Sequence, residues 1–185
     1  MGRICKTPWH KTIQTVKQKE EYVYHVDEND KVLGKVSRKE MRKKVLLHRG
    51  SDIFVFNTKG EILVHKRTKT KDLFPGFYAV VVGGSASYGE TYDECAKREV
   101  YEEIGIKDAQ LEFLFKHKYI GPHNKFMGHI YKMTHDGPFK YQKEEVAWAE
   151  FMSLSKLKQF MKKNKFCPDD LEIFNKYLKE FHGKK

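Results

Sequence analysis

The chain has 185 residues, a net charge of +11, 39% hydrophobic residues and 14% aromatics. That composition fits one domain with a real core and excludes a transmembrane helix, because no apolar run approaches the ~18 residues of a span. The opening MGRICK has neither the apolar stretch of a secretory signal nor the Ser or Thr at position six that N-myristoylation wants.

In chain order, residues 1–20 are polar and basic with little periodicity, and are expected to form a flexible arm before a single domain at 21–185. YVYHV then alternates as a strand does, DENDKVLG supplies a turn, and KVS leads onward. Ser37 is placed to cap a short helix through Met41, with Glu40 at the capping-box position. Residues 53–57 and 62–67 read as two strands joined by Thr58, Lys59 and Gly60. The apolar run 77–82 predicts a central strand that delivers the chain to Gly83 and Gly84. Residues 91–104 contain no Pro or Gly and predict a helix, with Thr91 or Asp93 as its cap and Gly105 as a left-handed end. A strand pair follows at 111–119 and 126–133, then a last strand at 146–151. Helices are expected at 155–162 and 169–181, the second with Leu171, Phe174, Tyr177, Leu178 and Phe181 on roughly one face. This mixture predicts an α/β class fold, a three-layer α/β/α sandwich around a mixed sheet.

Three widely spaced cysteines, Cys5, Cys95 and Cys167, form no CxxC pair. In a chain without a signal this reads as reduced, intracellular and cytoplasmic, with Cys95 as a small buried side chain. The positive charge attracts polyanions, yet the lysines are spread along the chain rather than gathered in a block, and no RNA-recognition or zinc-finger spacing accompanies them.

Residues 84–106 read GSASYGETYDECAKREVYEEIGI. Gly84 is followed by Glu90, then Arg98, Glu99, Val100, Glu102, Glu103, Gly105 and Ile106. On a helix, positions three and four apart share a face, so Glu99, Glu102 and Glu103 converge and Glu90 sits just before the first turn. Like charges so placed repel, and a divalent cation relieves that cost; Mg²⁺ favours oxygen ligands from carboxylates together with substrate phosphates. Arg98 can pair with a neighbouring carboxylate and fix its orientation. A lone Glu pair on a helix is ordinarily solvated surface. The full spacing, however, arises by chance at roughly one start in a billion.

That spacing, G-x5-E-x7-R-E-U-x-E-E-x-G-U with U aliphatic, resembles the signature of the Nudix hydrolases, which cleave diphosphates linked to another group. The similarity continues outside it. LLHRGSDIFVFNTKGEILVHKRTKTKDLFPGFYAVVVGG resembles the segment before the box in isopentenyl-diphosphate isomerases and their Nudix relatives. VDENDKVLGKVSRKEMRKKVLLHR, DGPFKYQKEEV and FCPDDLEIFNKYL resemble the bacterial YfcD-like Nudix hydrolases. Together these cover roughly residues 22–180.

The resemblance implies a Nudix fold and a Mg²⁺-dependent (or Mn²⁺-dependent) hydrolase of a nucleoside diphosphate linked to another moiety. Isomerisation is not supported. Gly83 and Ser85 stand where the isomerase pattern has its Cys and a metal His, Met41 and His48 stand at its two earlier histidines, and NKFMGHIY lacks the acidic residue. His48 is then expected to be structural. In the hydrolase reading, Glu99, Glu102 and Glu103 hold the metal with the Gly84 carbonyl, and Arg98 orients the carboxylates. Glu103 is the first choice as general base, with Glu144 or Glu145 as loop candidates. Arg67 and Lys71 fall where the isomerase-like relatives place cations on the diphosphate. Phe77 and Tyr78 can stack on a base or enter the core. Two other classes stay open: an RNA 5′-end or cap diphosphate hydrolase, suggested by the charge, and a non-catalytic nucleotide-binding module. Modules of that kind usually lose box carboxylates, all of which are present here. Many relatives are dimers, which makes a homodimer the partner to look for; the residues do not name the diphosphate.

Overall fold

The computed structural model describes residues 20–181, so the expected arm at 1–20, Glu20 apart, lies outside the described residues. Among these, nine strands form one sheet: β1 (Tyr22–Val26), β2 (Val32–Ser37), β3 (His48–Phe56), β4 (Ile62–Arg67), β5 (Tyr78–Ala79), β6 (Val82–Ser85), β7 (Glu112–Ile120), β8 (Lys125–Thr134) and β9 (Val146–Met152). Four helices accompany them: α1 (Arg38–Lys44), α2 (Tyr92–Ile104), α3 (Leu154–Met161) and α4 (Pro168–Phe181). The sheet is mixed, because β3 and β8 run parallel while the other ladders are antiparallel.

Strand β3 is the hub, and its sequence explains why. It is apolar on both faces, as a strand covered on both sides must be. Phe54 joins Val64, Ile130, Leu157, Ile173 and Phe174 in the core beneath α3 and α4. Ile53 and Val55 join Ala96, Val100, Ile104, Tyr131 and Met133 beneath α2. These are the two interfaces of an α/β/α sandwich, and each fully buried large side chain contributes about 1.5–3 kcal/mol.

The sheet is not continuous across its width. Strands β3 and β4 meet only at Phe56 and Ile62, so the expected hairpin pairs at its turn and then splays. Beyond that point β3 pairs with β6, while β4 pairs with β5 and β9. The expected central strand at 77–82 is therefore corrected to two short pieces on opposite sides of the gap. Val80 and Val81 cross between them, and their N–H groups donate to Asp170 Oδ2 at 2.7 and 3.4 Å instead of to a ladder. A buried backbone donor needs a partner; a carboxylate from α4 supplies it, and the strand can break.

Helix α2 forms as its sequence indicates. Thr91 Oγ1 accepts from Glu94 N, the Glu94 carboxylate accepts from Thr91 N, and Gly105 closes the helix at φ 76°. At α1 only half of the expected box forms: Ser37 caps Glu40 N, while the Glu40 carboxylate turns to Lys44 at 2.6 Å. On α4 the buried stripe is Asp170, Ile173, Phe174 and Tyr177, whereas Phe181 is 49% exposed at the helix end. No described helix is long and apolar enough to cross a membrane.

Candidate active site

A cleft of about 490 Å³ opens between α2, β6 and the β8–β9 loop, within the range of small-molecule sites (about 300–1,000 Å³). Helix α2 lines one side with Arg98, Glu99, Glu102 and Glu103, and β6 lines the floor with Gly83, Gly84 and Ser85. Ala96, Val100 and Ile104 face the core at four-residue spacing and lock the helix in rotation. Glu99 and Glu103, on the adjoining stripe, are thereby turned into the cleft.

Arg98 organises this side. Its Nε and Nη2 grip Glu90 Oε1 and Oε2 at 2.6 and 2.9 Å. Its Nη1 donates to Glu99 Oε1 at 2.7 Å and to Glu102 Oε2 at 3.0 Å, and Nη2 also reaches the Ser85 carbonyl at 3.1 Å. A rigid five-donor fork suits this arrangement, and a point charge does not. Burial tends to raise the Glu90 carboxyl, yet the Arg98 hydrogen bond and charge outweigh it and hold Glu90 below its usual range.

Gly84 stands against Glu99. A Cβ there would fall 2.5 Å from Glu99 Oε1, so only glycine lets that carboxylate lie on the β6 backbone. The Gly84 carbonyl takes a long contact from Cys95 Sγ at 3.6 Å, and a carbonyl has a second lone pair to offer. Cys95 itself is fully buried, and burial pushes its thiol up, as expected of a packing residue.

Glu103 is the most enclosed of the box carboxylates, at 5% exposure. Burial first, then the Glu99 and Glu145 charges, push its carboxyl well above the usual range, against the pull of Lys71 and Arg67. Glu99 is raised by burial too, despite Arg98, while Glu102 keeps 48% of its side chain exposed. The donor set thus comprises three carboxylates of graded burial and a backbone carbonyl, all oxygen, which fits Mg²⁺ or Mn²⁺. The three carboxylates share the cleft without being drawn into a tight knot. Among the described residues, only Cys167, Asp169 and Asp170 bring three donor atoms within 4.8 Å of one another.

The opposite wall comes from the β8–β9 loop. Gln142 N donates to the Glu103 carbonyl at 3.0 Å, and Thr68 ties the loop's far end through Glu144 O and Glu145 O. The two loop candidates separate here. Glu145 turns into the cleft and pairs with Lys71, whereas the Glu144 side chain faces solvent and is not among the cleft's lining residues. Arg67 lies deeper, lining an inner cavity, with Nε on the Leu73 carbonyl at 3.2 Å. Tyr78 enters the core against Phe166 and Phe160 rather than the cleft. Sequence reasoning missed Glu21, Tyr22 and Arg38, which complete the mouth of the cleft. No spacing links β1 and α1 to the box; Arg38 pairs with Glu21 at 2.8 Å only because the fold brings them together.

The isomerase alternative fails on sterics as well as on residue identity. A Cβ at Gly83 would overlap the Ser51 carbonyl oxygen and lie 2.9 Å from Asp52 Cα, so no cysteine fits there without moving β3. His48 is buried, with Nδ1 3.1 Å from the Leu46 carbonyl, and burial first, then Arg42, push it down to about 3. Burial thus keeps it neutral, and its ring also lines the inner cavity.

These groups set the pH dependence of stability without added metal. Burial pushes His65 down to about 3 and His117 to about 4, as it does His48. The unfolded chain therefore takes up their protons first, near pH 6.5, and stability falls as pH drops below that. Burial raises Asp170 to about 7, with Asp52 and Glu103 well above their usual range. The folded chain keeps these protons while the unfolded chain sheds them near pH 4, so stability falls as pH rises. The two sets offset each other between about pH 4.5 and 6.5. Melting in chelator should show a plateau there, a decline below it, and a decline above pH 7. A Tm climbing steadily to pH 9 would contradict these protonation states.

Comparison with known proteins agrees with this geometry. The NUDIX domain family matches residues 46–176. The chain is 34% identical over 158 residues to the uncharacterised Nudix hydrolase PA4841 of Pseudomonas aeruginosa, covering 85% of this chain and 94% of that protein. It is 32% identical over 163 residues to the uncharacterised Nudix hydrolase YfcD of Escherichia coli, covering 86% and 87%. The crystal structure of DR0079 from Deinococcus radiodurans superposes with a TM-score of 0.74 at 23% identity, covering 84% of this chain and 98% of that one, which shows a shared fold.

Proposed function

The chain belongs to the Nudix hydrolase family, and from that premise we propose that it hydrolyses the diphosphate of a nucleoside diphosphate linked to another moiety, with Mg²⁺ or Mn²⁺ as cofactor. The observation that carries this reading is the gathering of Gly84, Arg98, Glu99, Glu102 and Glu103 in one cleft of about 490 Å³. Glu99, Glu102, Glu103 and the Gly84 carbonyl would hold the ion. When bound, such an ion supplies charge against the diphosphate oxygens and lowers the pKa of a water.

The chain's own residues supply the rest. Arg98 keeps Glu99 lying against β6 and holds the half-exposed Glu102 at the edge of the cleft. Glu103 takes the proton of the attacking water at its carboxylate; the burial that raises its pKa also makes it the stronger base. Lys71, on the far wall, offers its ammonium to a phosphate oxygen when it leaves Glu145, and Arg67 stands behind it. Glu145, released from Lys71, is the alternative base, ahead of Glu144, whose side chain faces solvent. Residues 21–185 act in this reading as one catalytic domain.

A phosphate-release screen over nucleoside diphosphate sugars, dinucleotides and coenzymes, with Mg²⁺ and with Mn²⁺, tests the proposal. Turnover of at least one compound, abolished by chelator, is expected. Inertness toward the whole library with both ions would remove the hydrolase assignment of this cleft.

A further inference from the structure

Behind Glu103 lies a second, smaller cavity of about 90 Å³, and the hydrolytic reading gives its far wall no task. On that wall Cys167, Asp169 and Asp170 bring a thiol and two carboxylates within 4.8 Å of one another. Acidic residues in the first turn of a helix ordinarily serve its positive end, and Asp169 and Asp170 do open α4. A second observation sets this group apart. His65 lines the same cavity, is 5% exposed, and its Nε2 has no hydrogen-bond partner among the described residues. A buried ring nitrogen normally finds one.

Strand pairing brings the imidazole and the thiol to the same side. His65 stands opposite Ala79 in the β4–β5 ladder. On the other side of β5, Tyr78 bridges Phe166, and Cys167 N donates to the Tyr78 carbonyl at 2.9 Å. Side chains alternate along each strand, so His65, Ala79 and Cys167 share a face, and all three line the cavity. The small Ala79 side chain leaves open the space between them. Their backbones are two strand spacings, roughly 10 Å, apart. An imidazole and a thiolate reaching over a methyl group from both sides can meet at one ion, with bonds of about 2.0–2.3 Å. His65 Nε2 lies outside the 4.8 Å group, and an ion would draw it in by a turn of the ring.

The charge of the cavity points the same way. Asp52, Glu103, Asp169 and Asp170 outnumber Arg42 and Arg67 on its walls, and buried charges are paired or coordinate metals. A phosphate would add to that excess. Arg67 Nε is spent on the Leu73 carbonyl, and Arg42 reaches Asn124, which itself donates to Asp169 Oδ2 at 2.9 Å. Asp170 Oδ2 accepts from Val80 N and Val81 N, which fixes its carboxylate and leaves lone pairs on Oδ1. The donor types select the ion, because thiolate and imidazole suit Zn²⁺, while Mg²⁺ wants oxygen alone.

We propose that Cys167, Asp169, Asp170 and His65 form a closed four-ligand Zn²⁺ site that ties the start of α4 to β4 beside the break at Val80 and Val81. It is separate from the carboxylate cleft in donors and in task, and does not depend on the hydrolase reading.

Cobalt reports the site directly. Protein stripped with chelator and titrated with Co²⁺ should develop a thiolate-to-cobalt charge-transfer band, with the intense visible bands of four-coordinate Co²⁺, saturating near one ion per chain. Zn²⁺ should erase the band and excess Mg²⁺ should not. Cys5→Ser should keep it and Cys167→Ser should lose it. His65→Gln should weaken Zn²⁺ binding at least tenfold in competition with a chromophoric chelator. At a hundredfold excess over Kd, Zn²⁺ should raise Tm by about 5–10 °C, in the parent and in Glu102→Gln but not in Cys167→Ser. If Cys167→Ser fails to fold, Asp169→Asn takes its place, with the same loss of affinity expected. No thiolate band in the parent, or a band of undiminished strength in folded Cys167→Ser, overturns the site. Neither result touches the hydrolase reading, whose cleft offers only oxygen donors.

Discussion

Glu103→Gln is expected to lower kcat about 10³-fold, the middle of the range for loss of a positioned proton acceptor, while the metal-free protein at pH 8 melts no lower than the parent. The two halves of this result have one cause. Glu103 is buried behind the Glu99 and Glu145 charges, and its carboxyl is held well above the usual range. In the folded state without metal, ionising it is costly, so a neutral amide of the same shape removes a penalty rather than a support. In the proposed reaction the same carboxylate would be both ligand and base, and an amide cannot accept the proton. Ordinary structural damage would lower Tm and rate together; a dead enzyme of equal or greater stability requires the functional role. Glu102→Gln should also cost orders of magnitude in turnover, with little change in Tm because its side chain is half exposed. Parent-like rates in both variants on a hydrolysed nucleoside diphosphate would sink the assignment of these carboxylates.

Arg98→Met should act in the opposite sense on stability. Arg98 holds Glu90 with two bonds, Glu99 and Glu102 with one each, and the Ser85 carbonyl with another. Its removal leaves the carboxylates facing one another without a cation among them. The cost should be about 2–3 kcal/mol, below the 3–5 kcal/mol of a fully buried broken pair because Arg98 keeps 27% of its side chain exposed. For a domain of this size that corresponds to a Tm loss of roughly 4–12 °C. Turnover and apparent Mg²⁺ affinity should each fall about 10–100-fold, as for other residues that orient metal ligands. Arg98→Lys should recover part of the stability and little of the affinity, because an ammonium cannot fork across three carboxylates. A variant with unchanged Tm and unchanged Mg²⁺ dependence would show that Arg98 does not organise the cleft.

Much of this is legible in the sequence. The cap at Thr91, the end at Gly105 and the spacing of Glu99, Glu102 and Glu103 are all contained within a few turns of chain, and helix α2 follows them. Why position 84 is glycine, with the Glu99 carboxylate lying on it, appears only in three dimensions. Residues 53–57 read as a strand; that β3 starts at His48 and is covered on both faces appears only in the two cores it joins.

Other features depend on residues far apart in sequence. The run 77–82 is apolar throughout, and nothing in it marks where the strand breaks; the break is set by Asp170, 90 residues away. Glu144 and Glu145 are equivalent as letters, and only the tethering of their loop to Thr68 and to the end of α2 turns one into the cleft and the other to solvent. Arg42, Asp52, His65 and Asp170 come from four separate elements, and no spacing rule connects them. By itself, then, the sequence determined the helix, its oxygen-rich donor set and the class of chemistry, because helical periodicity fixes which side chains within four residues meet. The tertiary structure alone decided the splay of β3 from β4, which of two neighbouring glutamates faces the cleft, and the inner cavity. Those depend on strand register and on buried donors seeking partners across the fold, which local periodicity does not encode.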